Sequence, residues 1–355
     1  MTDVDLFVQR ILELVNEGKR ETTYKLALLW SLIEWVTVND DESVVPTPDI
    51  AELVLELYWR QVRPFVDINS NEVTLQQGKQ TPALIISEVE KLKAIGGGTT
   101  RLAQIKTSHF KAYAKAVGKI ETVLIQQPIP RLQRYGSKVL PFLYECTWPE
   151  KAPVGPLIES KSNFVTLLPS VRDRLTRLGP LIRPFIEQAW IADVTTWSKL
   201  STEEESLRTH LFGSDRVSFP PALRSTMMTS QGGLCFYCAK SLGTGWAIDH
   251  FVPWSKYPNN AVENLVAACK KCNGDKSDKL VAPSYVKAWI TRCNDVVLIE
   301  EMTQMWEWET NVSKSIAIAR SFYTSMVPGS VIWSGFGSVE LVSASHLIEF
   351  EALFA

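Results

Sequence analysis

Two Cys-x-x-Cys pairs, Cys235-Phe236-Tyr237-Cys238 and Cys269-Lys270-Lys271-Cys272, restrict this chain more than any other feature of its sequence. Four thiolates in two tight pairs suit a tetrahedral zinc ion, whose ligands must converge on one point. Six cysteines in 355 residues are too few for a disulfide scaffold, so the pairs point to metal binding in a reducing compartment. Any fold of this chain must therefore bring the two pairs together and house the long insertion, Ala239 to Ala268, between them. Cys146 and Cys293 are left over and are expected in the core.

The insertion reads Ala247-Ile248-Asp249-His250-Phe251-Val252-Pro253-Trp254-Ser255, then a polar loop through Tyr257-Pro258-Asn259-Asn260, then Glu263-Asn264-Leu265-Val266-Ala267-Ala268. After the second pair come Asn273-Gly274-Asp275-Lys276-Ser277-Asp278-Lys279. The pattern predicts strand, loop, strand, then a helix opening near Asn273.

Asp249-His250, Asn264 and Asn273 at this spacing, inside a four-cysteine frame, resemble the HNH, or ββα-metal, nuclease family from Leu234 to Leu280. The Asn273 to Asp278 segment is also similar to one in the HNH domain of RNA-guided CRISPR nucleases. The resemblance implies phosphodiester hydrolysis, which needs a base for water and a cation for the charge on the phosphoryl and departing oxygens. His250 suits the base, since an imidazole titrates near neutrality. Asp249 and Asn273 offer hard oxygen ligands for Mg2+ or Mn2+. Many family members have histidine where this chain has Asn273, and an amide oxygen makes nickel or zinc a poorer match there. By the same resemblance Asn264 holds the loop that aims His250, and Lys276 touches a phosphate. Cys235, Cys238, Cys269 and Cys272 hold structural Zn2+.

The rest of the chain reads as helical. Leu6, Ile11, Leu12, Leu14 and Val15 recur at helical spacing, as do Tyr24, Leu26, Leu28, Leu29, Leu32, Ile33 and Val36. A third helix is expected with Thr47 as its cap and Pro48 in its first position, and a fourth from Thr81-Pro82 to Gly96-Gly97-Gly98. Short strands are expected at Val139–Cys146 and Asn163–Leu168, and a longer helix from Leu181 to Trp197. The acidic run Glu203-Glu204-Glu205 and then Phe219-Pro220-Pro221 mark a boundary. The fold class is thus mainly α with a small ββα-metal nuclease domain. Its parts are a helical N-terminal domain (1–217), the nuclease domain (218–282) and a helical C-terminal segment (283–355).

A formal net charge of −2 excludes a globally basic coat for nucleic acid, so phosphate binding must come from local patches. Between Arg101 and Lys138 lie Lys106, Lys111, Lys115, Lys119, Arg131 and Arg134, opposed only by Glu121. Lys111, Lys115 and Lys119 share one helical face and are the candidate DNA-binding residues. The tryptophans Trp30, Trp35, Trp59, Trp289, Trp306 and Trp308 are read as core, and His109, His210 and His346 as satisfied core histidines. No signal peptide or apolar span is evident, which makes a soluble cytoplasmic protein the expectation.

The expected activity is endonucleolytic cleavage of DNA. Segments such as Gly179-Pro180-Leu181-Ile182-Arg183-Pro184 and Ala189-Trp190, with the layout, are similar to bacterial HNH proteins associated with defence against foreign DNA. Two alternatives stay open: cleavage of RNA by the same chemistry, and a non-catalytic zinc module that binds nucleic acid.

Overall fold

The structure, a computed structural model, describes residues 3–16, 20–39, 42–79, 83–97, 102–136, 138–201, 204–212, 219, 221–295, 298–300 and 310–355. The expectations for Thr81-Pro82, Gly98, Arg101, Glu203, Pro220, Trp306 and Trp308 lie outside these residues. The chain divides into two compact units, Met1–Ser214 and Asp215–Ala355.

In the first unit α1 (Asp3–Val15) is amphipathic, whereas α2 (Tyr24–Val38) is apolar nearly all round. A helix without a polar face is stable only at the centre of a bundle, and α2 is buried from Tyr24 to Thr37 except at Lys25 and Trp30. Around it run α3 (Thr47–Gln61), α4 (Leu84–Ile95), α5 (Leu102–Ser108), α6 (Phe110–Gln126) and the short α7 (Pro128–Arg131) and α8 (Val154–Glu159). They are followed by α9 (Val171–Ser198) and α10 (Glu204–Leu211). A small antiparallel sheet joins Val44–Pro46, Phe164–Leu167 and Tyr144–Glu145, in that order.

Two local expectations are corrected by tertiary contacts. Thr47 does not cap α3 but is its first residue, because its hydroxyl is drawn to the buried Glu121 carboxylate at 2.6 Å. The helix expected from Leu181 starts ten residues earlier, at Val171, and carries Pro180 and Pro184 inside it. Proline costs a helix one hydrogen bond and a steric clash, and packing outweighs this here. A Cβ at Gly179 would lie 2.7 Å from Ile33 Cγ2, so the helices approach closely at that point. Arg183 donates to Glu34 at 2.8 Å in the buried seam, and Trp190 Nε1 donates to Gln77 Oε1 at 2.8 Å.

The second unit contains α11 (Pro221–Ser230), the strand Ala247–His250 and the antiparallel strand Leu265–Ala268, with Asp249 opposite Val266 and His250 opposite Leu265. Next comes α12 (Lys270–Lys276), which opens three residues before Asn273 because the Cys269 sulfur caps it, accepting from Cys272 N. The remainder is α13 (Pro283–Cys293), α14 (Val312–Thr324), a hairpin of Val331–Gly335 and Ser338–Leu341, and α15 (Ala344–Phe354).

The segment after residue 283 is therefore not purely helical, and it shares a core with the ββα elements. Strands of four residues and a helix of seven bury too little apolar surface to stand alone. Trp289 stacks face to face on Phe251 at 4.6 Å, and Trp333 is fully buried beside Tyr237. Trp35 is also buried, while Trp30 and Trp59 are half-buried against the core of the first unit. Of the spare cysteines, Cys293 is buried and Cys146 half-buried. Among the described residues no helix is long and apolar enough to cross a membrane.

Glu263 joins the C-terminal elements to the nuclease strands. Its buried carboxylate accepts from Asn311 N and Ser315 Oγ, both at 2.8 Å, and from Thr310 Oγ1 at 3.1 Å. Its carbonyl accepts from Trp289 Nε1 at 2.8 Å and an Arg292 guanidinium nitrogen at 3.1 Å. Removing the carboxylate strands three donors, so Glu263→Ala should destabilise the second unit by about 3 kcal/mol. Denaturant unfolding followed by tryptophan fluorescence measures this; a loss under about 0.5 kcal/mol would deny the anchoring role.

Candidate metal centre and active site

The two cysteine pairs meet. Their four sulfurs all lie within 4.8 Å of one another, and Cys238 Sγ is 3.9 Å from Cys269 Sγ. Zinc–sulfur bonds of about 2.3 Å in a tetrahedron set sulfurs about 3.8 Å apart, so the donors fit Zn2+. The local backbone explains the convergence. Phe236 N donates to Ala267 O at 2.9 Å and Cys269 N to Cys235 Sγ at 3.3 Å, which lays the first pair along the second strand. Gln231 continues that edge, accepting from Ala267 N at 2.7 Å and donating to Ala267 O at 2.9 Å. Burial pushes the Cys235 and Cys272 thiols up. Burial pushes Cys269 up as well, but the Cys272 N–H and the neighbouring thiols more than offset this and bring it to about 7.

Next to this frame, strand alternation separates Asp249 from His250. Asp249 is buried and faces α12; its Oδ2 accepts from Tyr237 Oη at 2.6 Å and pairs with Lys276 Nζ at 3.0 Å. His250 is half-buried on the loop side, with Nε2 3.0 Å from Asn260 Oδ1 and its ring 4.8 Å from that of Trp254. Asn273 is half-buried on α12 one turn before Lys276, on the same helix face. α12 is pinned on both flanks. Lys276 Nζ donates to His250 O at 2.8 Å, and Asp275 Oδ2 accepts from Trp333 Nε1 at 2.8 Å and Gly337 N at 2.7 Å.

Asn264 is fully buried and crosses the loop. It accepts from Val252 N at 2.8 Å and donates to Val252 O at 3.2 Å and Asn259 O at 3.0 Å. The next residue along, Asn260, is the one that meets His250.

The comparisons agree with this geometry. Residues 235–279 match the family model described as HNH endonuclease, and residues 6–211 match one described as a domain of unknown function (DUF8808). The chain belongs to the DUF8808 family and carries an HNH endonuclease domain. No curated protein and no solved structure matches. The HNH domain implies a nucleic-acid substrate and a nuclease of the HNH type.

Three sequence expectations about charged and histidine residues change. Lys276 has no exposed surface, and its ammonium is spent on Asp249 and the His250 carbonyl, so it does not reach a phosphate in this arrangement. Burial pushes its pKa down and the Asp249 carboxylate opposes that shift. The basic run on the first unit is not unopposed. Lys106 pairs with Glu52 and Lys119 with Glu88, while Arg131 and Arg134 share Glu150. Glu121, the one acid within the run, is buried and serves Thr47 and Asn163. The remaining histidines also differ: His109 is exposed, and His346 sits in the capping box of α15. His210 is half-buried against Arg63 O.

Two residues of the HNH domain escaped the sequence reading. Tyr237 was visible only as a spacer between knuckle cysteines, and Asn260 as one polar loop residue among several. Burial and the Asp249 carboxylate push the Tyr237 hydroxyl well above its ordinary range, which keeps it a proton donor.

Elemental analysis should find one zinc per chain, and Cys269→Ser should lose it together with the stability of the HNH domain. Fully active protein without zinc would remove the four-cysteine site.

Proposed function

We propose that this protein is a metal-dependent endonuclease that hydrolyses phosphodiester bonds of DNA, with Zn2+ as its structural ion and Mg2+ or Mn2+ as its catalytic one. The observation that carries the proposal is the succession of Asp249 and His250 on one strand of the HNH domain, with the Asp249 carboxylate bonded to Lys276 of α12, the helix that also carries Asn273, and the imidazole bonded to Asn260 of the loop. In-line displacement at phosphorus needs a base behind the attacking water and charge neutralisation beside the departing oxygen. Asp249 supplies a carboxylate for the cation and His250 an imidazole for the water.

Asp249 and Asn273 would hold the catalytic ion, which when bound neutralises charge on the phosphoryl and departing oxygens. Among the described residues Tyr237 and Lys276 both donate to Asp249 Oδ2, the oxygen opposite the one that would meet the ion. Asn260 Oδ1, 3.0 Å from Nε2, orients the His250 imidazole, the group suited to take a proton from water. Asn264 keeps the loop closed behind that ring.

Purified protein incubated with plasmid DNA and a series of divalent metals tests substrate and cofactor together. His250→Ala should fold and bind DNA while cleaving at least about 100-fold more slowly. Wild-type cleavage by the folded variant would end the assignment of the base. Matched DNA and RNA of one sequence should separate the DNA reading from the RNA one, since hydrolysis itself needs no deoxyribose.

Defence against foreign DNA is proposed on the layout, a large helical unit ahead of an HNH domain, and on the segments Gly179–Pro184 and Ala189-Trp190. The residues behind that likeness, Gly179, Arg183 and Trp190, have packing roles in the first unit. Cells expressing the protein should resist phage, and cells expressing His250→Ala should not; equal plaque counts would exclude the role.

For DNA binding by the first unit the candidate face narrows to Lys111 and Lys115, which are exposed on α6 without a carboxylate partner among the described residues. Each phosphate contact contributes about 0.9 to the slope of log affinity against log salt, so Lys111→Gln with Lys115→Gln should lower it by about 1.8. An unchanged slope would turn attention to the exposed Lys240, Lys256, Lys270 and Lys271 of the HNH domain.

A further inference from the structure

We infer that Tyr237 is a positioning residue for the catalytic ion, coupling the zinc frame to the carboxylate that binds that ion. The inference rests on the reading above in which Asp249 is a ligand.

The geometry is specific. Tyr237 lies between Cys235 and Cys238, so its backbone moves with the knuckle. Its ring is buried edge-on against Trp333 at 5.1 Å, Phe236 at 5.2 Å and Tyr285 at 5.6 Å, which leaves it little freedom to turn. From that fixed ring the hydroxyl donates to Asp249 Oδ2 at 2.6 Å. Lys276 supplies the second donor to the same oxygen at 3.0 Å. A carboxylate with one oxygen held by two donors cannot rotate freely, and its other oxygen is aimed before any ion arrives. Partners of this kind set ligand orientation and commonly govern metal affinity by about 10- to 100-fold.

The two donors are not equivalent. The phenol is neutral and contributes orientation alone, whereas the Lys276 ammonium also places positive charge beside a cation site. Their loss should therefore act in opposite directions. Tyr237→Phe keeps the ring and its packing but removes the hydroxyl, so the carboxylate loses its aim. Lys276→Met keeps Tyr237 in place and removes a competing charge.

The test is titration of zinc-loaded protein with Mn2+, following free Mn2+ by electron paramagnetic resonance, with cleavage measured over the same range. Tyr237→Phe should retain one zinc per chain, bind Mn2+ at least about 10-fold more weakly, and recover most of the wild-type cleavage rate at saturating Mn2+. A merely structural role would instead lower the rate at every Mn2+ concentration. Lys276→Met should bind Mn2+ at least as tightly as the wild type. Mn2+ affinity within twofold of wild type in zinc-loaded Tyr237→Phe overturns the inference, as does weaker binding by Lys276→Met, which remains decisive if the phenylalanine variant does not fold. Asp249→Asn separates the two levels. If it abolishes Mn2+ binding while Tyr237→Phe does not alter it, only the inference fails; if it leaves Mn2+ binding unchanged, the metal reading fails and the inference with it.

Discussion

Convergence of four cysteine sulfurs to within 4.8 Å of one another brings the Cys235–Cys238 turn onto the Leu265–Ala268 strand and the start of α12, and the candidate site lies against that junction. The ββα elements are too short to be held by their own apolar contacts. Two things compensate. The cysteine frame constrains the chain at both ends of the insertion, and the C-terminal helices and hairpin cover the exposed apolar side. Glu263 links the two by offering its carboxylate to one set of elements and its carbonyl to another. The residue beside it, Asn264, closes the loop between the two strands, so the anchoring of the C-terminal segment and the shape of the candidate site depend on adjacent positions.

From this junction the site residues are set by short chains of hydrogen bonds. Asn264 holds Asn259, and its neighbour Asn260 meets His250. Tyr237 and Lys276 hold one oxygen of Asp249. The imidazole and carboxylate are therefore oriented by different parts of the fold, the loop and the zinc knuckle, although they are consecutive in sequence.

Much of the HNH domain was legible because its chemistry fixes residue types at fixed spacing: the cysteine pairs, Asp249-His250, Asn264 and the strand–loop–strand–helix order. What stayed hidden was decided by tertiary context. The start of α9 was obscured by Pro180 and Pro184, whose cost is overcome by the close approach at Gly179 and the Arg183–Glu34 pair. The basic run looked unopposed because Glu52, Glu88 and Glu150, which pair with Lys106, Lys119 and Arg131, lie far from their partners in sequence or beyond the run. Lys276 looked like a surface cation one turn from a ligand, since nothing in its spacing distinguishes a phosphate contact from a buried partner of Asp249. Tyr237 and Asn260 act through single hydroxyl and amide groups, which leave no periodic or compositional trace.

The central claim is that one small frame holds two different ions, a structural one among the cysteines and a catalytic one between Asp249 and Asn273. Anomalous diffraction from crystals soaked in Mn2+, recorded at the zinc and manganese edges, tests it most directly. The account expects a zinc peak enclosed by Cys235, Cys238, Cys269 and Cys272, and a separate manganese peak at the Asp249 and Asn273 side-chain oxygens. A cysteine site without zinc, or manganese bound only away from Asp249 and Asn273, would contradict it.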